Sequence, residues 1–350
     1  MGKGNLVGVD IGHSSVKVCQ LKESKRGFQL VHFGMIALPP DAIVDSAIMD
    51  AGAVTDRINE LMHNQKIKAK EAAISLSGHQ VILRKIPLPV MTREELDESI
   101  RWEAEQYIPF DIDEVNIDVE ILNEHNDQGQ MDVLLVAAKK DMINEYTSVI
   151  QDAGLTTTVV DVDAFSLQNA FEANFDLPVG ETVALINVGA SVVNINIIQS
   201  RISAFTRDIT QGGNQYTEEI QKQLNVSYDE AEALKIGGVG ETDAVVPQEV
   251  ERVMQQVSET IAADVQRSLD FYGATAADST IHRIYLAGGC AKVPALARSI
   301  QSKTGVAVEE INPFKQLDTT DKQLDPEFLR RVAPMATISV GLALRTSDPT

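Results

Sequence analysis

Positive charge is scarce in this chain of 350 residues: 30 lysines and arginines stand against 51 aspartates and glutamates, a formal net charge of −21. Nucleic acids and anionic lipid surfaces are bound by clustered cations, so the shortage argues against both as partners. Cysteine is nearly absent. The two present, Cys19 and Cys290, sit in apolar strand or turn contexts, which suits small core residues in a reducing compartment rather than a disulfide or metal site. The six histidines are scattered without ligand spacing, so no transition-metal centre is expected. No apolar run approaches the roughly 20 residues of a membrane span, and MGKGNLVGVD leads into a strand without the layout of a signal peptide. These absences leave a cytoplasmic, multi-lobed protein, with two or three units expected at ~150 residues per domain.

One pattern occurs twice. VGVDIGHSSVKV at 7–18 returns 177 residues later as ALINVGASVVNI, so Asp10, Gly12, Ser14 and Val16 correspond to Asn187, Gly189, Ser191 and Val193. In each copy a β-branched run meets a glycine turn and resumes as an alternating strand, the signature of a hairpin. Glycine admits close approach of a ligand, and successive turn amides form an anion nest. Two facing turns can hold two phosphates, and a carboxylate beside the first glycine favours that reading over a plain connection. The repeat covers whole lobes: strands at 6–10, 16–22 and 28–37, a helix at 51–63 and a strand at 72–77 are matched by strands near 182–188, 192–199 and 201–208, helical stretches from Asn214 and a strand at 282–287. A cleft between such lobes is where a small ligand would lie.

Between the lobes, the Pro87/Pro89 punctuation opens an insert expected at 87–158. Thr92 and Glu95 have capping-box spacing at the head of the helical stretch TREELDESIRWEAEQY, which stops before Pro109. Strands at 115–122 and 131–138, a helix at 139–153 and the strand TTTVVDVD complete it. With no Gly-rich loop and no nucleophile context, it suits a structural or docking role. Further on, Gly212 and Gly213 open a helix, a third place for an anion. Glu232 and Lys235 stand i, i+3 on one helix face, by spacing alone a solvated ion pair. IYLAGGCAKVPALARSI then reads strand, turn, helix; Gly288 and Gly289 let a flat ring lie against the backbone, or simply make the turn.

These motifs resemble those of the actin, Hsp70 and sugar-kinase ATPase superfamily, and within its FtsA-like branch the chain resembles the PilM family of type IV pilus assembly proteins. The marks are VGVDIGHSSVKVCQL, IRWEAEQYIPFDIDEVNIDVEIL, RSLDFYG, YLAGGCAKVPAL and INPF at 311–314, spread over nearly the whole chain. The resemblance implies an α/β fold class, a duplicated actin-like ATPase fold with two lobes around a nucleotide cleft and an inserted α+β subdomain. On that plan the first lobe spans 1–86, completed by about 159–180 and a C-terminal helix at 333–346. The second-lobe core spans 181–211 and 281–332, with a helical subdomain at 212–280.

By position, the resemblance implies ATP and magnesium as ligands. Asp10 would hold magnesium through water, and Gly12, His13, Ser14 and Ser15 would wrap the β- and γ-phosphates, with Lys17 on phosphate oxygens. Asn187, Gly189 and Ala190 would form the second phosphate turn, where the superfamily usually starts with Asp. Gly212 and Gly213 would lie near ribose or phosphates, Glu232 and Lys235 would frame ribose and adenine, and Gly288, Gly289 and Lys292 would line the base. No catalytic residue is assigned, and the Asn at 187 points to slow hydrolysis at most.

The resemblance also implies a partner, the short cytoplasmic N-terminal peptide of a PilN-like inner-membrane protein, docked beside the insert, with other pilus platform and motor components around it. The FtsA amphipathic membrane helix has no counterpart at GLALRTSDPT, so peripheral attachment through partners, without direct membrane insertion, is expected. Two rivals share the fold. A small-molecule kinase would need a carboxylate base in an acceptor loop, which is not visible, and an FtsA-like division filament protein would need that C-terminal helix.

Overall fold

The computed structural model describes residues 6–25, 27–178, 180–237, 247–275 and 280–346. The first lobe opens with strands β1 (Leu6–Ile11), β2 (Ser15–Ser24) and β3 (Gly27–Ala37), followed by a short ribbon of β4 (Ile43–Val44) and β5 (Ala47–Ile48), helix α1 (Ala51–Asn64) and strand β6 (Glu71–Leu76). The chain then makes an excursion through β7 (Val81–Leu88), α2 (Arg93–Ala104), β8 (Val115–Asn123) and β9 (Met131–Lys139). It returns with α3 (Lys140–Asp152), β10 (Thr156–Val162) and α4 (Asp163–Glu172). The second lobe contains β11 (Thr182–Val188), β12 (Val193–Gln199), β13 (Ile202–Ile209), α5 (Gly213–Leu224), α6 (Tyr228–Gly237), α7 (Gln248–Thr275), β14 (Arg283–Ala287), α8 (Pro294–Thr304) and β15 (Val308–Glu310). Helices α9 (Pro326–Val332) and α10 (Thr337–Ala343) end the described chain.

The two lobe sheets have matching orders, β3-β2-β1-β6-β10 and β13-β12-β11-β14-β15. In each, an antiparallel hairpin leads into parallel strands. A continuous apolar run such as TVALINV marks a strand covered on both faces, and all seven residues of β11 are buried. One face of the first sheet packs on α1 and α3 through Val54, Ile58, Met142 and Val149. One face of the second packs on α5, α7 and α8 through Tyr216, Val257, Ile261 and Leu296. Between the sheets lie α4 and α10: Leu167 and Phe171, with Ile338 and Leu342, share one core with Ala73 of the first sheet and Leu185 and Tyr285 of the second. This shared core joins the lobes at one end and leaves their glycine turns facing a cleft.

The excursion has a sheet of its own, in the order β7-β9-β8, and a separate core built on Ile86, Leu96, Ile100, Val133 and Leu135. Thr92 and Glu95 make the full capping box, Glu95 amide to Thr92 Oγ1 at 3.2 Å and Thr92 amide to Glu95 Oε2 at 2.8 Å. The expected limits of 87–158 shift at both ends. Val81–Leu88 is an edge strand of the insert sheet, and Pro87 is accommodated because an edge position has no ladder partner for the missing N–H on its open side. At the far end α3 and β10 belong to the first lobe, since β10 pairs in parallel with β6 from Thr156↔Glu71 to Val162↔Leu76. The insert is therefore β7 to β9, and its stems lie side by side: Val81 pairs with Ala138, and the Lys139 amide donates to the Gln80 carbonyl at 3.2 Å. Trp102, the sole tryptophan, is 78% exposed on α2. Among the described residues no helix is long and apolar enough to cross a membrane.

Candidate functional site

The two glycine turns have the same internal bond. The Gly12 amide donates to the Ser15 carbonyl at 3.1 Å, and 177 residues on the Gly189 amide donates to the Val192 carbonyl at 2.9 Å. Across each hairpin the register pairs Asp10 with Lys17 and Asn187 with Asn194. In the first copy this pair is ionic, Lys17 Nζ to Asp10 Oδ2 at 3.1 Å. In the second it is an amide pair, Asn187 Nδ2 donating to Asn194 Oδ1 at 2.8 Å, with the two residues only 9% and 2% exposed. Because side chains alternate along a strand, Asn187 shares its face with Val183 and Leu185, the face turned to the first lobe.

His13 turns its ring away from the turn, so that Nε2 accepts the Ser46 amide of the β4–β5 turn at 3.2 Å; burial holds its pKa below the usual imidazole range. Ser14 is exposed and its carbonyl accepts the Leu38 amide at 2.9 Å, while Ser15 is buried at the head of β2. In the second copy Asn214 Nδ2 donates to Ser191 Oγ at 3.0 Å.

One expectation is corrected at α5. Its first amides are not open to an anion: Gly213 N donates to the Gly189 carbonyl at 2.9 Å and Asn214 N to the Ala190 carbonyl at 2.8 Å. The helix is docked on the second turn, and Gly212 permits the approach, because a Cβ there would lie 2.5 Å from the Gly189 carbonyl oxygen. The Glu232–Lys235 pair is also more than a solvated surface bridge. Lys235 Nζ lies 2.6 Å from Glu232 Oε2, donates to Thr217 Oγ1 at 2.8 Å and reaches the Gly213 carbonyl at 3.3 Å, while Thr217 Oγ1 donates to Glu232 at 2.7 Å. This closed triangle fastens α6 to the start of α5, beside the second turn.

Gly288 and Gly289 follow β14 at the same end of the sheet, and a Cβ on Gly288 would lie 2.8 Å from Asn187 Oδ1. Nothing lies within 4 Å of a Cβ built on Gly289, so open space meets the chain there. Lys292 is drawn elsewhere, with its amine 2.8 Å from Glu310 of β15. Cys290 fills the gap behind, its thiol donating to the Gly189 carbonyl at 3.6 Å, and burial raises it to about 12; Cys19 is likewise buried and free.

Two carboxylates that the motifs did not flag enter the cleft. Asp163, the first residue of α4, accepts Ser75 Oγ at 2.6 Å. Burial first and the Asp10 carboxylate second push it up to about 7, against the opposing hydrogen bonds from Ser75 and Ser77. Asp208, on edge strand β13, accepts Asn194 Nδ2 at 2.9 Å and the Gly78 amide at 2.6 Å. The only hint in the sequence was an Asp at a strand-to-helix junction and another at the end of a β-rich run.

Both also line a cavity of about 380 Å3 where the insert meets the two lobes. Its apolar wall includes Leu76, Leu83, Phe205 and Phe271, with Arg84 and Arg207 adding positive charge. β7 and β13, which border it, are edge strands of their sheets.

The cleft suits a nucleotide with its metal. Two turns present backbone to one space, a side-chain-free backbone position opens on it at Gly289, and Asp10 offers one carboxylate. Among the described residues no trio of His, Cys, Asp or Glu is grouped to hold a metal alone. The single carboxylate of Asp10 beside the first turn is what magnesium would use, since it keeps several waters and is usually bound through one or two carboxylates plus phosphate oxygens.

Comparison with known proteins agrees with this geometry. The profile of the type IV pilus assembly protein PilM family matches residues 8–347. The cell division protein FtsA of Streptococcus pneumoniae is 23% identical, the match covering 88% of this chain and 75% of that protein. A PilM–PilN type IV pilus biogenesis complex superposes with a TM-score of 0.88 at 26% identity, covering 99% of this chain and 100% of the matched one. MreB5 of Spiroplasma citri, solved bound to AMPPNP, has the same architecture at a TM-score of 0.53 and 11% identity, with 97% and 94% covered. The shared architecture is the two-lobed actin-like fold.

Proposed function

The chain belongs to the PilM family of type IV pilus assembly proteins, and from that premise we propose that it binds ATP with magnesium in the cleft and recruits the cytoplasmic N-terminal peptide of a PilN-like inner-membrane protein. The observation that carries the nucleotide half is the pair of turns closed by the same internal hydrogen bond, Gly12 to Ser15 and Gly189 to Val192, at the same place in the two lobe sheets. The turn amides and Lys17 bind the phosphates; Asp10 binds the magnesium ion that screens them. Release of Lys17 from Asp10 is the change this requires of the chain. Gly212 and Gly213 border the sugar, the Thr217–Glu232–Lys235 triangle frames its far side, and Gly288 and Gly289 line the base.

Asp163 is the group in this cleft best suited to take or share a proton, since its carboxyl sits near 7 rather than in the usual carboxylate range. Asn187 accepts hydrogen bonds through its carbonyl but takes no proton. Turnover is therefore slow, and ATP acts chiefly as a ligand that stabilises the closed lobes by mass action. On this reading the protein is a cytoplasmic scaffold, peripheral on the inner membrane through its partner and in contact with further platform and motor components.

The partner peptide belongs in the cavity between β7 and β13. An extended segment adds backbone hydrogen bonds to a free strand edge and sinks alternate apolar side chains into pockets, and this cavity offers two edges, an apolar wall and the exposed Phe271 at 56%. The complex of the similar PilM with PilN supports the choice of occupant. The test is titration calorimetry on nucleotide-free protein with Mg-ATP, and with a synthetic peptide of the cognate PilN-type N-terminus. The expected result is saturable 1:1 binding of each; no heat of binding with ATP overturns the cleft assignment, and no binding of peptide overturns the groove. Replacing 82–137 by a short Gly-Ser link between the adjacent stems should abolish peptide binding and leave ATP affinity nearly unchanged.

A further inference from the structure

We propose that Asp208 is a positioning residue that sets the amide of Asn187 and ties it to the root of the insert, so that nucleotide and groove occupancy are energetically coupled. The proposal rests on the cleft and groove assigned above.

The polarity of the chain of bonds carries the first half. Asp208 accepts at both oxygens, Oδ1 from Asn194 Nδ2 at 2.9 Å and Oδ2 from the Gly78 amide at 2.6 Å. A carboxylate that only accepts obliges Asn194 to present its NH2 group, so its carbonyl faces Asn187. Asn187 in turn must present its own NH2 group, at 2.8 Å. Its Oδ1 is thereby directed away from β12 toward the Gly288 turn. An amide free to flip would offer a donor and an acceptor equally. Here the two bonds that Asp208 accepts, two links away, keep an acceptor toward the side where nucleotide is assigned, in place of the carboxylate usual at this position.

The second half is where the chain ends. Gly78 lies between β6 and β7, at the point where the insert leaves the first lobe, with φ of +96° and a buried backbone. A Cβ there would lie 2.7 Å from Ser46 Oγ. The Ser46 amide is the donor to His13 of the first turn, and its carbonyl accepts Tyr146 OH at 3.1 Å. The second turn thus reaches the Gly78 peptide by hydrogen bonds through Asn194 and Asp208, and the first comes beside it through His13 and Ser46, whose Oγ packs against Gly78. Asp208 bridges the lobes, since Gly78 is in the first and Asp208 in the second, and it also lines the cavity. A ligand that fixes the turns fixes the cavity, and linkage makes the effect reciprocal.

The test measures the affinity of the synthetic PilN-type peptide with and without saturating Mg-ATP, for wild type, Asp208→Asn and Asn194→Ala. In Asp208→Asn one of the two donors now faces an NH2 group, and Asn194→Ala removes the link while leaving both ends in place. Wild type is expected to bind peptide about 5- to 150-fold more tightly with Mg-ATP, the usual span of such couplings; in both variants the ratio should fall to near 1. Hydrogen exchange at the Gly78 amide supplies a readout without peptide: Mg-ATP should slow it in wild type and leave it unchanged in both variants, whereas a merely structural role would change exchange equally with or without nucleotide. Either variant keeping the wild-type ratio, or wild type binding both ligands with a ratio of 1, overturns this inference alone. Failure of wild type to bind one of the ligands overturns the proposed function, and the inference with it.

Discussion

The first and second glycine turns are one backbone design carrying two different electrostatic solutions. Where the first crosses its hairpin with Lys17 and Asp10, the second uses Asn194 and Asn187 at the same register. On the function proposed above, the ionic pair is a reserve of charge, each member going to a ligand of opposite sign. The amide pair holds no charge and is backed by Asp208, so it positions without binding strongly. The surroundings differ as well. Helix α5 is docked on the second turn through the Gly189 and Ala190 carbonyls, while the first turn leans on the small β4–β5 ribbon. If the proposed function holds, the difference is a division of labour, with affinity built mainly into the first copy and alignment into the second.

The sharpest way to break the comparison is to make the second turn resemble the more usual superfamily pattern. Asn187→Asp is expected to raise single-turnover hydrolysis at saturating ATP by on the order of 10² to 10⁴, the ordinary worth of a positioned proton-transfer group, with affinity little changed. Equal and fast rates in wild type and variant would show that Asn187 is neutral and that another carboxylate, Asp10 or Asp163, carries hydrolysis. Next in size is Gly212→Ala. Its Cβ, 2.5 Å from the Gly189 carbonyl oxygen, must push α5 off the second turn, costing about 1–3 kcal/mol of stability and reducing ATP affinity about 100-fold or more. Gly12→Ala is the milder change in the first copy, since its Cβ meets the end of the flexible Lys17 chain at 3.2 Å and the Ser15 carbonyl oxygen at 3.3 Å, against 2.5 Å for Gly212; thermal denaturation should find a smaller loss of stability in that variant than in Gly212→Ala.

Lys17→Ala removes the cation from the first turn and should weaken ATP about 10- to 100-fold, as expected for a hydrogen bond to a charged group, whereas Asn194→Ala should change ATP affinity alone by much less. The smallest effect is on pH dependence. Because the folded protein holds the Asp163 carboxyl at about 7, above its unfolded value of 3.8, its contribution to stability is fully present below that lower value and is lost as pH rises through 7. Asp163→Asn should flatten the decline in the denaturant midpoint between pH 4 and 8 relative to wild type, and identical slopes would place the carboxyl at its ordinary value.

Much of this was legible before any coordinates. The 177-residue offset joins the turns, their cross-strand pairs and their internal hydrogen bonds, because a duplicated sheet repeats its register with its sequence. The capping box at Thr92 and Glu95 was equally clear, being a local arrangement with a local signature. The limits of the insert were not. Pro87 reads as a break, yet it occupies a free strand edge, and TTTVVDV reads as the insert's last strand, yet its partner β6 lies some 85 residues earlier, beyond any periodicity. Asp163 and Asp208 were missed for the same reason: their chemistry comes from Ser75, Asn194 and Gly78, none of them a sequence neighbour. The α5 amides were misread because the carbonyls that occupy them arrive from a turn more than 20 residues away.

The exposure of Trp102 gives the protein a built-in optical label. With one indole in 350 residues, placed on the outer side of α2 and 78% open to water, tryptophan emission reports the insert and no other region. Nucleotide entering the cleft leaves that chromophore solvated, so its spectrum should stay that of an indole in water, while any assembly event that covers α2 will move the emission to shorter wavelength. Occupancy of the cleft and burial of the insert's outer surface are therefore separable in one unlabelled sample.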